Sequence, residues 1–195
     1  GTHVAGTSAA VGNNALGVTG VVWNAKIMAL KGFRDASSGA STADLLETIY
    51  YAADNGARTI NCSWGSQGSP GSAVRDAISY ALSKGTVPVV AAGNSTMNAS
   101  SFSPAGVADA LTVGASTPSD GLASFSNYGT VVDVIAPGTN ILSTYPMTAG
   151  KYKAIQGTSM AAPHVAGLAT LIVSINPNLT AEDTIDMITD TGDLV

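Results

Sequence analysis

The chain alternates short apolar runs with stretches of helical periodicity, and few folds accommodate that order. Residues 26–31 (Lys-Ile-Met-Ala-Leu-Lys) read as a strand, and residues 33–40, with Ser37, Ser38 and Gly39, as a loop. Ser41 and Asp44 form a capping-box pattern, with Asp in place of the usual Glu. Leu45, Leu46, Ile49, Ala52 and Ala53 follow at helical spacing, and Gly56 sits where a C-terminal glycine cap belongs. Residues 59–64 form the next expected strand. Val74, Ala77, Ile78, Ala81 and Leu82 mark a second amphipathic helix closed by Gly85, and residues 86–92 are an almost purely apolar strand. Apolar strands separated by helices imply a mostly parallel sheet covered on both faces. Right-handed crossovers make this a three-layer α/β/α domain. Shorter strands are expected at 111–115, 131–135 and 141–143. A long apolar helix is expected at about 158–174, and a shorter one begins at Thr180, capped by Thr180 with Asp183.

Composition narrows the function. Only 11% of the 195 residues are charged and 45% are hydrophobic, which excludes a disordered segment. The net charge is −5, and the 8 Lys and Arg never cluster, so no surface suits nucleic acid. The longest nearly apolar stretch, 165–175, is too short for a bilayer span, so no membrane partner is expected. The single cysteine, Cys62, excludes an internal disulfide and a Cys-based zinc cluster, and its place in a central strand suggests packing. The acidic end, with Glu182, Asp183, Asp186, Asp190 and Asp193, reads as a solvated helix face.

In a parallel sheet the functional loops follow the carboxyl ends of strands. Those loops are Ser63-Trp64-Gly65-Ser66 and Ala91-Ala92-Gly93-Asn94. Further on, Ser159 lies between small residues at the start of the long helix, where free N–H groups suit a developing oxyanion. From position alone, such a serine is more often a cap than a nucleophile.

Four blocks decide between these readings. They are Gly1-Thr2-His3-Val4-Ala5-Gly6-Thr7, Ala91-Ala92-Gly93-Asn94, Asp133-Val134-Ile135-Ala136-Pro137-Gly138, and the run from Gly157-Thr158-Ser159-Met160 to Gly167. Together and in this order they resemble the subtilisin-type serine proteases over nearly the whole chain. The resemblance implies a subtilisin-like fold, secretion, protein or peptide substrates and a monomer. It makes Ser159 the nucleophile, with the Asn94 side chain and the Ser159 backbone N–H as the oxyanion hole. One such donor is worth about 3 to 4 kcal/mol of transition-state stabilisation.

The chain departs from the family at the triad. The family's histidine block reads His-Gly-Thr-His-Val-Ala-Gly-Thr, and its first histidine is the base. This chain begins at the following glycine, so His3 matches the second, non-catalytic histidine and is read as packed at a helix start. His164, five residues after Ser159, is rotated roughly 140° around the helix and lies about 7.5 Å along it, which also makes it structural. Asp133 reads as a structural carboxylate beside the sheet. Residues 1–195 are therefore expected to be a partial, incomplete peptidase domain, with catalytic Asp and His upstream and little activity as a separate chain.

By the same resemblance an extended substrate pairs with Ser63-Trp64-Gly65, and Ala91-Ala92-Gly93 forms the second pocket wall, with a floor within 100–106. Neither wall carries a carboxylate, so apolar or broad primary specificity is expected. Trp64 is either an apolar subsite or a core aromatic. Residues 12–18 (Gly-Asn-Asn-Ala-Leu-Gly-Val) resemble the family's calcium loop, which would hold a structural calcium. Asn13 or Asn14 would be the side-chain ligand, with carbonyls near Val11, Leu16 and Val18. The family completes this site with an upstream carboxylate. A non-catalytic pseudoprotease of the same fold is the alternative. A nucleotide loop at 17–20 lacks the glycine pattern and context of such a site. An α/β-hydrolase elbow at Ser159 lacks a usable histidine after it.

Overall fold

The computed structural model describes residues 1–34 and 39–193. In chain order the elements are α1 (Thr2–Ala9), α2 (Thr42–Asp54), β1 (Thr59–Cys62), β2 (Ser66–Gln67), α3 (Ser72–Ser83), β3 (Val87–Ala91), β4 (Phe102–Ser103), β5 (Leu111–Ser116), β6 (Val134–Pro137), β7 (Ile141–Thr144), β8 (Tyr152–Ile155), α4 (Thr158–Ile175) and α5 (Ala181–Asp190). Strands β1, β3, β5 and β6 form a parallel sheet in that order, with Cys62 beside Val90, Ala91 beside Val113 and Val113 beside Val134. Side chains alternate across this sheet, as the period of a strand requires. Val87, Val89, Leu111 and Val113 pack on one face under Ala161, Ala162, Val165, Ala166 and Ala169 of α4. Cys62 and Val90 pack on the other face under Leu46, Ile49, Ala77 and Ile78 of α2 and α3. The architecture is the expected three-layer α/β/α arrangement.

The helix ends follow the sequence signals. Ser41 Oγ accepts the Asp44 N–H at 3.1 Å and caps α2. At α5 the capping box is complete, because Thr180 Oγ1 accepts the Asp183 N–H while Asp183 accepts the Thr180 N–H. Helix α4 is long and apolar enough to cross a membrane by length and composition, which the 11-residue run did not suggest. It lies instead across the middle of the domain, packed on the sheet and on α1.

Two strand expectations need correction. Residues 26–31 belong to no strand, because no sheet among the described residues includes them. Ile27, Met28 and Leu30 are 54%, 41% and 37% exposed, whereas a strand inside a covered parallel sheet would be buried. The strand expected at 131–135 occupies Val134–Pro137 instead. Val132 turns back on Gly129, and the Asp133 carboxylate takes the Thr112 N–H at 2.7 Å, so the ladder begins one residue later. Two pairings were unforeseen: β7 with β8, and β2 with β4, both antiparallel. The expected loop at 33–40 is described only in part, since Ser37 and Ser38 lie outside the described residues.

Candidate active site

Strands β1 and β3 end side by side, so Ser63-Trp64-Gly65 and Ala92-Gly93-Asn94 leave the sheet as neighbouring walls. The N-terminus of α4 lies beneath them. Every groove residue expected from the sequence (Ser63, Trp64, Gly65, Ala91, Ala92, Gly93), together with Asn94 and Ser159, lines one cleft of about 500 Å³. The β2–β4 pair closes its far side through Gln67, Phe102 and Ser103. Among the described residues, no charged side chain lines it. Trp64 does both things open to it, lining the cleft and packing on the core beneath α2 and α3. Ser66, from the expected loop after β1, also lines the cleft; Phe33, Gln67, Ser95 and Thr158 do so as well and were not foreseen, whereas Phe102 and Ser103 fall within the expected floor.

The start of α4 is built to keep donors free. Gly157, at φ +146°, makes the sharp entry, a conformation costly for any other residue. Its carbonyl takes the N–H groups of Met160 and Ala161. Thr158 N–H and Thr158 Oγ1 both donate to Asn94 Oδ1, at 2.8 and 3.0 Å. That fixes the Asn94 amide, because two donors require its oxygen on that side, and its Nδ2 donors are left for the cleft. Thr158 Oγ1 also accepts the Gly93 N–H at 3.1 Å. The Ser159 N–H, in the first helical turn, has no partner among the described residues.

Ser159 Oγ donates to Ser63 O at 3.1 Å, and neither histidine contacts it. His3 is buried, with Nε2 at 3.0 Å from both Ile141 O and Lys153 O, so it hooks α1 onto the β7–β8 hairpin. His164 Nδ1 donates to Met160 O at 2.9 Å, and burial holds its pKa below the usual histidine range. Burial pushes the Asp133 carboxyl above its usual range, opposed by its hydrogen bond from Thr112. The Cys62 thiol is buried and pushed up to about 12, which leaves it inert.

The loop proposed for calcium presents neutral oxygens only. Asn13, Ala15 and Gly17 all take positive φ, and Asn14 Oδ1 already accepts the Leu16 N–H at 3.0 Å. Val11 and Leu16 are exposed. No group of three or more His, Cys, Asp or Glu side chains among the described residues could hold a metal ion. Calcium takes six to eight oxygens with carboxylates prominent, so residues 11–18 do not complete a calcium shell by themselves. A second cavity, of about 450 Å³, lies where Val21–Ala25 meet the far end of α4, and among the described residues no ionisable side chain lines it.

Comparison with known proteins places this geometry among relatives. Residues 1–193 match the model of the Subtilase family. The chain is 45% identical over 197 residues to the thermophilic serine proteinase of Bacillus sp. (strain AK1), covering 98% of this chain and 48% of that protein. It is 44% identical over 198 residues to thermitase of Thermoactinomyces vulgaris, covering 98% of this chain and 69% of that protein. A solved protease structure from Pseudoalteromonas arctica superposes with a TM-score of 0.93 at 38% identity, covering 98% of this chain and 63% of that one. The chain thus spans about half the length of the first of these relatives.

Proposed function

The chain belongs to the subtilase family, and from that premise we propose that it carries the nucleophile and oxyanion hole of a secreted serine endopeptidase. Ser159 Oγ gives its proton to a general base and attacks the peptide carbonyl; the C–N bond breaks, the amine leaves with that proton, and water hydrolyses the resulting acyl-enzyme. The negative charge on the tetrahedral intermediate is met by the Ser159 N–H and by Asn94 Nδ2. The single observation that carries this reading is the Asn94–Thr158 junction. Thr158 engages Asn94 through Oδ1, which leaves the amide nitrogen free to donate, and both Asn94 and Ser159 line the cleft.

The general base and its orienting carboxylate come from chain outside residues 1–195. This is supported by the commitment of both histidines to backbone carbonyls away from Ser159. The substrate lies extended along Ser63-Trp64-Gly65, and the uncharged lining that the described residues give the cleft favours apolar or broad residues before the scissile bond. Residues 11–18 supply part of a structural calcium shell, which a carboxylate from elsewhere must complete.

Peptide hydrolysis by the full-length protein tests the reading. The expected result is cleavage after uncharged residues that Ser159→Ala abolishes. A strict preference for Arg or Lys would overturn the specificity. A folded full-length protein without hydrolysis would be the non-catalytic pseudoprotease.

A further inference from the structure

The proposed oxyanion donor sits in a loop that has one buried side chain at its centre. Asn127 is wholly buried and lies outside the cleft. Its Oδ1 accepts the N–H groups of Ser95 and Met97, at 2.9 and 3.1 Å, and its Nδ2 donates to Ala92 O at 2.8 Å. Its backbone N–H donates to Gly93 O at 2.9 Å. One residue therefore holds the backbone immediately before Asn94 by two carbonyls and the backbone after it by two amides. Gly93 fits this arrangement twice over. It takes φ +105°, and a Cβ there would lie 2.3 Å from Asn127 Nδ2.

The geometry points to Asn127 as a positioning residue for the Asn94 amide. Two anchors then define that amide. Thr158 fixes the side chain through Oδ1. Asn127 fixes the backbone from which the side chain springs. Without the second anchor the Oδ1–Thr158 contacts remain possible, but the loop can drift, and a donor displaced by a fraction of an ångström loses much of its worth to a transition state. The inference deepens the proposed function and rests on Asn94 being the oxyanion donor.

The test is a double-mutant cycle in the full-length protein, with kcat and KM for a peptide substrate and amide hydrogen exchange on the same samples. Asn94→Ala is expected to lower kcat by about 10²–10³, a range that itself comes from a subtilisin. Asn127→Ala is expected to lower kcat about tenfold or more, beyond any rise in KM, and to speed exchange at Ser95 and Met97 in the folded protein. In the Asn94→Ala background, Asn127→Ala should cost little further kcat, because its effect runs through Asn94. An equal kcat loss in both backgrounds would make Asn127 merely structural and overturn the inference. If Asn127→Ala does not fold, Asn127→Asp, which keeps the acceptor toward Ser95 and Met97, replaces it in the same cycle. A wild-type kcat indifferent to Asn94→Ala would instead overturn the proposed function beneath it.

Discussion

Ser63 and Ser159 hold each other by two reciprocal hydrogen bonds, each hydroxyl donating to the other residue's carbonyl: Ser63 Oγ to Ser159 O at 2.9 Å and Ser159 Oγ to Ser63 O at 3.1 Å. Pro163 explains why the first is available. In a regular helix Ser159 O would accept the N–H four residues on, but that residue is proline and has none. The freed carbonyl takes the Ser63 hydroxyl, and α4 is thereby fixed against the end of β1. The second bond rests the proposed nucleophile on a carbonyl of the groove wall. Asn61 Nδ2 backs the arrangement by donating to Ser63 Oγ at 2.8 Å.

Ser63→Ala should therefore cost stability as well as touch the cleft. It leaves Ser159 O and Asn61 Nδ2 without their partners, and Asn61 Oδ1 is already buried and unpartnered. We expect a loss of about 1–3 kcal/mol, the cost of orphaned polar groups away from water. Urea unfolding of the wild-type and variant proteins measures it. Coincident midpoints would mean that the Ser63 hydroxyl contributes nothing to stability.

His164 gives the fold a pH dependence with a definite sign. Its half-buried ring binds a proton less readily than the unfolded chain's does. The stability this represents is present above the unfolded histidine value, near pH 6.5, and is lost as pH falls through the lower folded value. His164→Asn removes the titration while keeping an amide donor toward Met160 O. Its melting temperature should fall less than that of the wild type on acidification from about pH 7.5 to about pH 5. Parallel falls in the two proteins would remove His164 as the cause.

The sheet and its helices were legible because their signals are local. The caps at Ser41 and Thr180 and the apolar spacing of Ile49, Ile78 and Val89 each lie within a few residues. Residues 26–31 misled for the opposite reason, since a strand needs a partner that no local pattern reveals. The cleft residues beside Asn94 and Ser159 were legible through motif blocks, whereas Asn127 was not. Its role exists only because a turn 32 residues after Ser95 folds back under that loop.

Chelation tests the calcium proposal on the donor set. Residues 11–18 offer neutral oxygens, with Asn14 Oδ1 already engaged, so EDTA should leave the melting temperature of the 195-residue chain unchanged. In the full-length protein EDTA should lower it, and excess calcium should restore it. A full-length protein indifferent to EDTA would remove calcium from the loop.

Covalent labelling addresses the nucleophile itself. The full-length protein, reacted with a fluorophosphonate probe and mapped by peptide mass spectrometry, should carry one adduct on Ser159. The adduct should be absent in Ser159→Ala and slower to form in Asn94→Ala, because the phosphonyl oxygen occupies the oxyanion position. A folded full-length protein left unlabelled at Ser159, or labelled at another serine, would contradict the assignment of Ser159 as the nucleophile.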